Sequence, residues 1–256
     1  MTIYVQPKPG GQPTWTDLMT PDVQSAYKFY KTIFGWDYDI AGPEFGNYAS
    51  ARLGQYEIAG LMQTQPGDQT PTGWGLYFAT HNIAADSDRA VALGATVISP
   101  VMQVGAFGSM AIFADPTGAM FGLWQADQHI GWQMAEQPGS IAWVEMYSSN
   151  AKQARDFYTA LLSATADPMP GGLEYYVLKH GEQMLGGIMQ IDPAWGNMPS
   201  QWVNYFAVAN ADETAALIAA NGGKLMGAID DSPFGSLAAA ADPAGAIFKI
   251  IQPPTQ

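Results

Sequence analysis

The chain has 256 residues, 48% of them hydrophobic, no cysteine, and a net charge of −13. Without thiols it has no disulfides, thiol nucleophiles, or thiolate-held zinc or iron–sulfur clusters. The charge is spread evenly, 11 acidic and 5 basic residues over 1–128 and 12 and 5 over 129–256. Such a surface repels phosphate backbones and anionic lipid, so neither nucleic acid nor membrane is expected as a partner.

The first segment, Met1 to Pro13, is polar and rich in Gly and Pro. It lacks the basic and apolar regions of a signal peptide, and no later run reaches the roughly 18 apolar residues of a membrane span, so a cytoplasmic location is expected. Trp15–Met19 reads as a short strand. Thr20-Pro21 then reads as a helix start, with Thr20 as N-cap and Asp22 in the first turn. Ala26, Phe29, Tyr30 and Ile33 form an apolar stripe at helical spacing, and Gly35 ends the helix. Tyr48–Leu53 and Ile58–Gln63 are expected to be strands joined around Gly54, and Trp74–Thr80 a further strand. Ala84–Leu93 reads as a second helix closed by Gly94. Strands follow near Thr96–Val101, Met110–Ala114 and Ala119–Trp124, the last two joined by the tight turn Asp115-Pro-Thr-Gly118.

The same pattern then returns. At an offset of 128, Trp15, Ala26, Phe29, Tyr30, Trp74, Tyr77 and Phe78 fall on Trp143, Ala154, Phe157, Tyr158, Trp202, Tyr205 and Phe206. At an offset of 127, Gly60-Leu-Met-Gln63 falls on Gly187-Ile-Met-Gln190, and Asp115-Pro-Thr-Gly-Ala119 on Asp242-Pro-Ala-Gly-Ala246. Register held over this length marks a tandem duplication. The expected partition is an N-terminal arm (1–13), a first domain (14–125), an ordered linker (126–139) and a second domain (140–253). Each domain is expected to be α+β, built from two βαβββ modules.

The Trp-x-(Asp/Glu)-(Leu/Met) strand, the helix ending in Phe-Tyr, the Trp-x-x-Tyr-Phe-Ala strand, and the closing Phe-Gly and Asp-Pro-x-Gly-Ala motifs recur in both copies. Together they resemble the vicinal oxygen chelate (glyoxalase/bleomycin-resistance/dioxygenase) superfamily, in its two-domain glyoxalase-like "hydroxylase" form. The resemblance implies that each domain is a cupped half-barrel sheet with helices outside, able to stand as a monomer or a homodimer. It also implies four inward positions where metal-dependent members place His, Glu or Gln. Three fall on Trp15, Gly75 and Gly122 in the first copy, and on Trp143, Val203 and Lys249 in the second. The fourth lies within Ile58–Gln63 and Leu185–Gln190, where only Gln63 and Gln190 carry donors. A divalent ion needs several converging oxygen or nitrogen donors. The expectation is therefore no metal and no cofactor.

Strand alternation puts Trp15, Asp17 and Met19 on one face. By the resemblance, that face lines the cup, with Trp143, Glu145 and Tyr147 in its sister. Trp74, Tyr77, Trp202 and Tyr205 are candidate aromatic walls, with Tyr48 and Tyr176 as further ones. Gln63, Gln190 and Asn204 are candidate hydrogen-bonding groups. Gly60, Gly75, Gly122, Gly186 and Gly187 are expected to leave room for a ligand. Such a cup suits a small aromatic or hydrophobic molecule. The alternative is a glyoxalase-like enzyme, of lyase, isomerase or oxygenase type, with Asp17 or Glu145 as acid/base. A third reading keeps a working pocket in one copy only, since Lys249 stands against Gly122. His81, His129 and His180 are expected in surface or structural roles.

Overall fold

The computed structural model describes residues 1–65, 71–171 and 174–254. The first half runs β1 (Thr2–Ile3), β2 (Pro13–Thr20), α1 (Val23–Phe34), β3 (Asp37–Ile40), β4 (Ala49–Leu53), β5 (Tyr56–Gln63), β6 (Gly73–Ala79), α2 (Ile83–Ala92), β7 (Thr96–Val104), β8 (Gly108–Ala114) and β9 (Met120–Ala126). The second runs β10 (Met134–Ala135), β11 (Ile141–Ser148), α3 (Ala151–Leu162), β12 (Thr165–Pro168), β13 (Tyr175–His180), β14 (Gln183–Gln190), β15 (Gln201–Ala207), α4 (Ala211–Ala220), β16 (Lys224–Leu225), β17 (Asp230–Ser232), β18 (Gly235–Ala241) and β19 (Ile247–Gln252).

All four helices start the same way. Asp22, Asn82, Asn150 and Asn210 each accept from the amide three residues on, at 3.0–3.1 Å. Such caps satisfy donors the helix itself leaves free. The first helix thus begins later than the sequence suggests. Thr20 stays in the strand, and Asp22 rather than Thr20 is the cap, because its carboxylate reaches the Ser25 amide. Gly35 closes the helix in the left-handed conformation, at φ 74°.

The first sheet has the order β3-β4-β5-β2-β6-β9-β8-β7, so two four-stranded units meet at the antiparallel β2–β6 pair. The sheet curls until its ends touch, Phe45 before β4 meeting Phe107 of the β7–β8 hairpin at a ring separation of 5.4 Å. The second sheet repeats the path as β12-β13-β14-β11-β15-β19-β18-β16, with β17 beside β18. The linker strand β10 extends it beside β11, and β1 of the arm adds to β10. The arm is further held by Lys8, which is buried against the Trp132 ring at 3.5 Å and donates to the Pro13 carbonyl.

The helices lie on the convex faces of the sheets, and those faces pack together. Trp36, Trp74 and Phe34 of the first half interleave with Phe206 and Phe248 of the second. Phe78 and Phe121 meet Tyr158 and Trp202. The buried apolar residues of both halves form one cluster.

Candidate functional site

On the concave face of the first sheet, adjacent strands set their residues in rungs. Asp17 on β2 lies between Gly60 on β5 and Gly75 on β6. One step along, Trp15 lies beside Tyr77, and Tyr77 beside Gly122 on β9. The glycines leave a recess, but the chain fills it. A β-carbon on Gly60 would come within 1.7 Å of the Tyr48 hydroxyl, and one on Gly122 within 2.1 Å of the Tyr77 ring. The room expected from these glycines is taken by the protein's own tyrosines.

Two phenols and an indole surround the Asp17 carboxyl. Tyr77 donates to Asp17 Oδ2 at 3.0 Å, and Trp15 Nε1 donates to the Tyr48 hydroxyl at 2.7 Å. Tyr48 in turn hydrogen-bonds Asp17. Burial pushes the Asp17 carboxyl up to about 6, against the opposing pull of these hydrogen bonds. Burial, reinforced by the neighbouring carboxyl, raises Tyr48 and Tyr77 well above the usual phenol range, so both remain donors. His129, in the linker, packs edge-on against Trp15 at 4.3 Å, and its Nδ1 lies 3.1 Å from Glu57 Oε2. It thus lies against the Trp15 wall of the first cup.

The second cup keeps the plan and changes the charge. Glu145 lies between Gly187 and Val203, and Tyr205 between Trp143 and Lys249. Tyr175 sits over Gly187 as Tyr48 sits over Gly60. It hydrogen-bonds Trp143 and Glu145. Tyr205 donates to Glu145 Oε2. Lys249 Nζ donates to the Tyr205 hydroxyl at 2.6 Å and lies 3.4 Å from Glu145 Oε2. It also rests over the Tyr147 and Tyr205 rings, at 5.0 and 4.7 Å. Tyr147 is at the cup as expected, and Trp195 packs on it at 5.8 Å.

Five expected site residues face elsewhere. Trp74 and Trp202 are on the convex side, where their indole nitrogens donate to Tyr30 and Tyr158 at 3.0 and 2.8 Å. Asn204 bridges the two halves by donating to Thr16 Oγ1. Gln190 accepts from the Ala151 amide at 2.9 Å and so caps α3. Gln63 pairs with Thr20 at the end of its strand, exposed. The cause is parity. Trp74 lies three residues from Tyr77, and Asn204 one from Tyr205, so neither shares its neighbour's face. Tyr176, offered as a wall, bonds Glu174 and stacks under Arg155; Tyr175 holds the cup position instead. The offset of 127 that relates Gly60 to Gly187 also relates Tyr48 to Tyr175, and was the available signal. A cleft of about 350 Å³ lies away from both carboxyls, lined by Gln6, Lys8, Thr14, Thr80 and His81 among others.

The family model for the Glyoxalase/Bleomycin resistance protein/Dioxygenase superfamily matches residues 12–123 and again 140–250. The chain belongs to this superfamily. Among its relatives is the glyoxylase-like CFP32 of Mycobacterium bovis and Mycobacterium tuberculosis, 38% identical over 254 residues and covering 96% of each chain. The anthracycline biosynthesis protein DnrV of Streptomyces peucetius is 32% identical over 257 residues, covering 94% of this chain and 93% of its own. Solved structures with the same fold include the Mn(II)-bound glyoxalase of Novosphingobium aromaticivorans, at a TM-score of 0.67 and 14% identity over 95% of this chain and 82% of that one. The 2,3-dioxygenase LapB of Pseudomonas sp. KL28 superposes at 0.65 with 12% identity, over 95% and 92%.

The Novosphingobium glyoxalase holds Mn(II), and the donor set here does not fit a divalent ion. Among the described residues, no three His, Cys, Asp or Glu side chains converge. In the first cup the carboxylate at the floor, Asp17, is engaged by phenols. In the second, the Lys249 ammonium beside Glu145 already carries the cationic charge.

Proposed function

We propose that the chain binds a small hydroxylated aromatic molecule in a cup without metal. What supports this is Tyr48 itself. The first cup holds a phenol whose hydroxyl accepts from Trp15 and donates to Asp17, seated where Gly60 provides the space. A ligand phenol taking the place of Tyr48 would inherit both hydrogen bonds. Burying an acid costs more than burying an apolar side chain, so a carboxyl at this rung in both repeats points to recognition rather than packing. The relative DnrV is named for anthracycline biosynthesis, and anthracyclines are hydroxylated aromatics.

The test is titration with 1,4-dihydroxyanthraquinone, followed by tryptophan emission with a Trp15→Phe control. Tyr48→Ala, which removes the internal competitor, tightens binding. Asp17→Asn weakens it about tenfold or more, as losing a hydrogen bond to a charged group does. Saturable binding absent from both the native chain and Tyr48→Ala would sink the reading.

A second reading, a glyoxalase-like enzyme with Asp17 as acid/base, is favoured by the carboxyl's value of about 6, close to working pH. It requires Asp17→Asn to abolish turnover of a 2-oxoaldehyde or dihydroxyaromatic substrate while leaving the fold intact.

A further inference from the structure

The second cup brings an amine, a phenol and a carboxylate into mutual contact. Lys249 brings an amine, Tyr205 a phenol 2.6 Å from it, and Glu145 a carboxylate 3.4 Å from it. Tyr147, Val203 and Ile191 form a small apolar cluster there, with Met189, Met198 and Ile247 packed against it. Lys249 keeps 12% of its side-chain surface open, against 7% for Glu145, so the lysine is the more exposed side chain of the pair. Its counterpart in the first cup is Gly122, so the amine belongs to one cup only.

We propose that Lys249 captures small aromatic aldehydes as an imine, with Tyr205 and Glu145 moving the protons. Lys249 passes a proton to Glu145, and the freed lone pair attacks the carbonyl carbon. The carbonyl oxygen takes a proton from the Tyr205 hydroxyl, which recovers one from Nζ, leaving a carbinolamine. Glu145 then protonates the new hydroxyl, which departs as water, and a C=N bond forms. The product iminium faces the restored Glu145 carboxylate. Nothing is oxidised or reduced, and water is the only by-product. Burial lowers the Lys249 ammonium from its usual range, although Glu145 opposes this. A partly desolvated lysine is the kind that forms Schiff bases, and apolar walls keep the water activity low.

The inference rests on the cup binding proposed above and extends it to the second domain. The native chain is treated with benzaldehyde and cyanoborohydride, and the reduced adducts are mapped by peptide mass spectrometry. The expected result is labelling of Lys249 at least about tenfold faster than of exposed Lys28 and Lys152, which lack the proton-transfer partners that Tyr205 and Glu145 provide. Lys249→Arg abolishes that adduct, and Tyr205→Phe slows it. Labelling of Lys249 no faster than of the exposed lysines overturns the imine. Benzyl alcohol, which cannot condense, is titrated in parallel by tryptophan emission. If it binds while Lys249 stays unlabelled, the covalent step fails alone; if it does not bind either, cup binding by the second domain fails with it.

Discussion

The hydroxyl of Tyr30, on the first helix, donates to Oδ2 of Asp242, 212 positions away in the other half. Tyr158 does the same to Asp115 at 2.9 Å. Each aspartate also holds its own turn, its Oδ1 accepting two backbone amides. Each tyrosine in turn accepts from the tryptophan of its own repeat, Trp74 or Trp202. These two tyrosines therefore send one buried hydrogen bond in each direction between the halves, beside the one from Asn204 to Thr16.

Tyr30→Phe leaves a buried carboxyl and a buried indole N–H without that partner. The expected cost is roughly 2 kcal/mol in chemical unfolding, as for a lost bond to a charged group. Tyr158→Phe should cost about the same. A change near zero in both would mean the contact contributes nothing to holding the halves together.

Asp17 sets a pH dependence. Its carboxyl titrates near 6 in the folded chain. In the unfolded chain it titrates near 4, about the usual value. Between those values the folded state binds more protons at Asp17, so the contribution of this group to stability is full below about pH 4 and is lost as pH rises through 6. The loss is on the order of 3 kcal/mol. Asp17→Asn should flatten this segment of the stability–pH curve, measured in urea; a curve unchanged by the substitution refutes the assignment.

Lys249→Met removes the ammonium from a carboxylate that is itself 7% exposed. Breaking a buried pair from one side costs roughly 3 kcal/mol or more. Adding Glu145→Gln should recover much of that loss, which a double-mutant cycle reads directly. If Lys249→Met proves neutral, the pair is solvated and the cup wetter than its geometry implies.

Gly60→Ala puts a methyl where the Tyr48 hydroxyl lies. Tyr48 must swing away, with a loss of about 1–3 kcal/mol as in other overpacked sites. Trp15 loses its acceptor at the same time, so its emission should shift. Unchanged stability and emission would show that Tyr48 does not occupy the recess.

Equilibration with Mn²⁺, Ni²⁺, Zn²⁺ or Fe²⁺ followed by dialysis should leave no stoichiometric ion. One tightly held ion per domain would overturn the reading of the donor set.

The duplication and the helical stripes were legible because each rests on a local period. Two-residue alternation put Trp15 with Asp17 and Trp143 with Glu145 on one face each, and the family resemblance identified that face as the concave one. The same rule, applied to Trp74 and Tyr77 together, would have separated them. Tyr48 and Tyr175 were harder, since what fills a recess depends on the curl of the sheet and on side chains reaching across strands. Lys249 was legible only as a difference between the copies. Its pairing with Glu145, 104 residues earlier, is set by β19 lying parallel to β15. His129 lies against the Trp15 wall because the linker folds back along β2, where the Trp132 amide donates to the Thr14 carbonyl.

The glutamines that end the strands act at a distance. Gln125, Gln190 and Gln252 accept from Ile83, Ala151 and Ala211, the first residues of the helices that open their own modules. The final strand of such a module thus latches its beginning, and a helix there is fully capped only once the module is whole. Among the described residues this latch is seen in three modules, so a truncation short of Gln252 should fray α4 before it disturbs the other half.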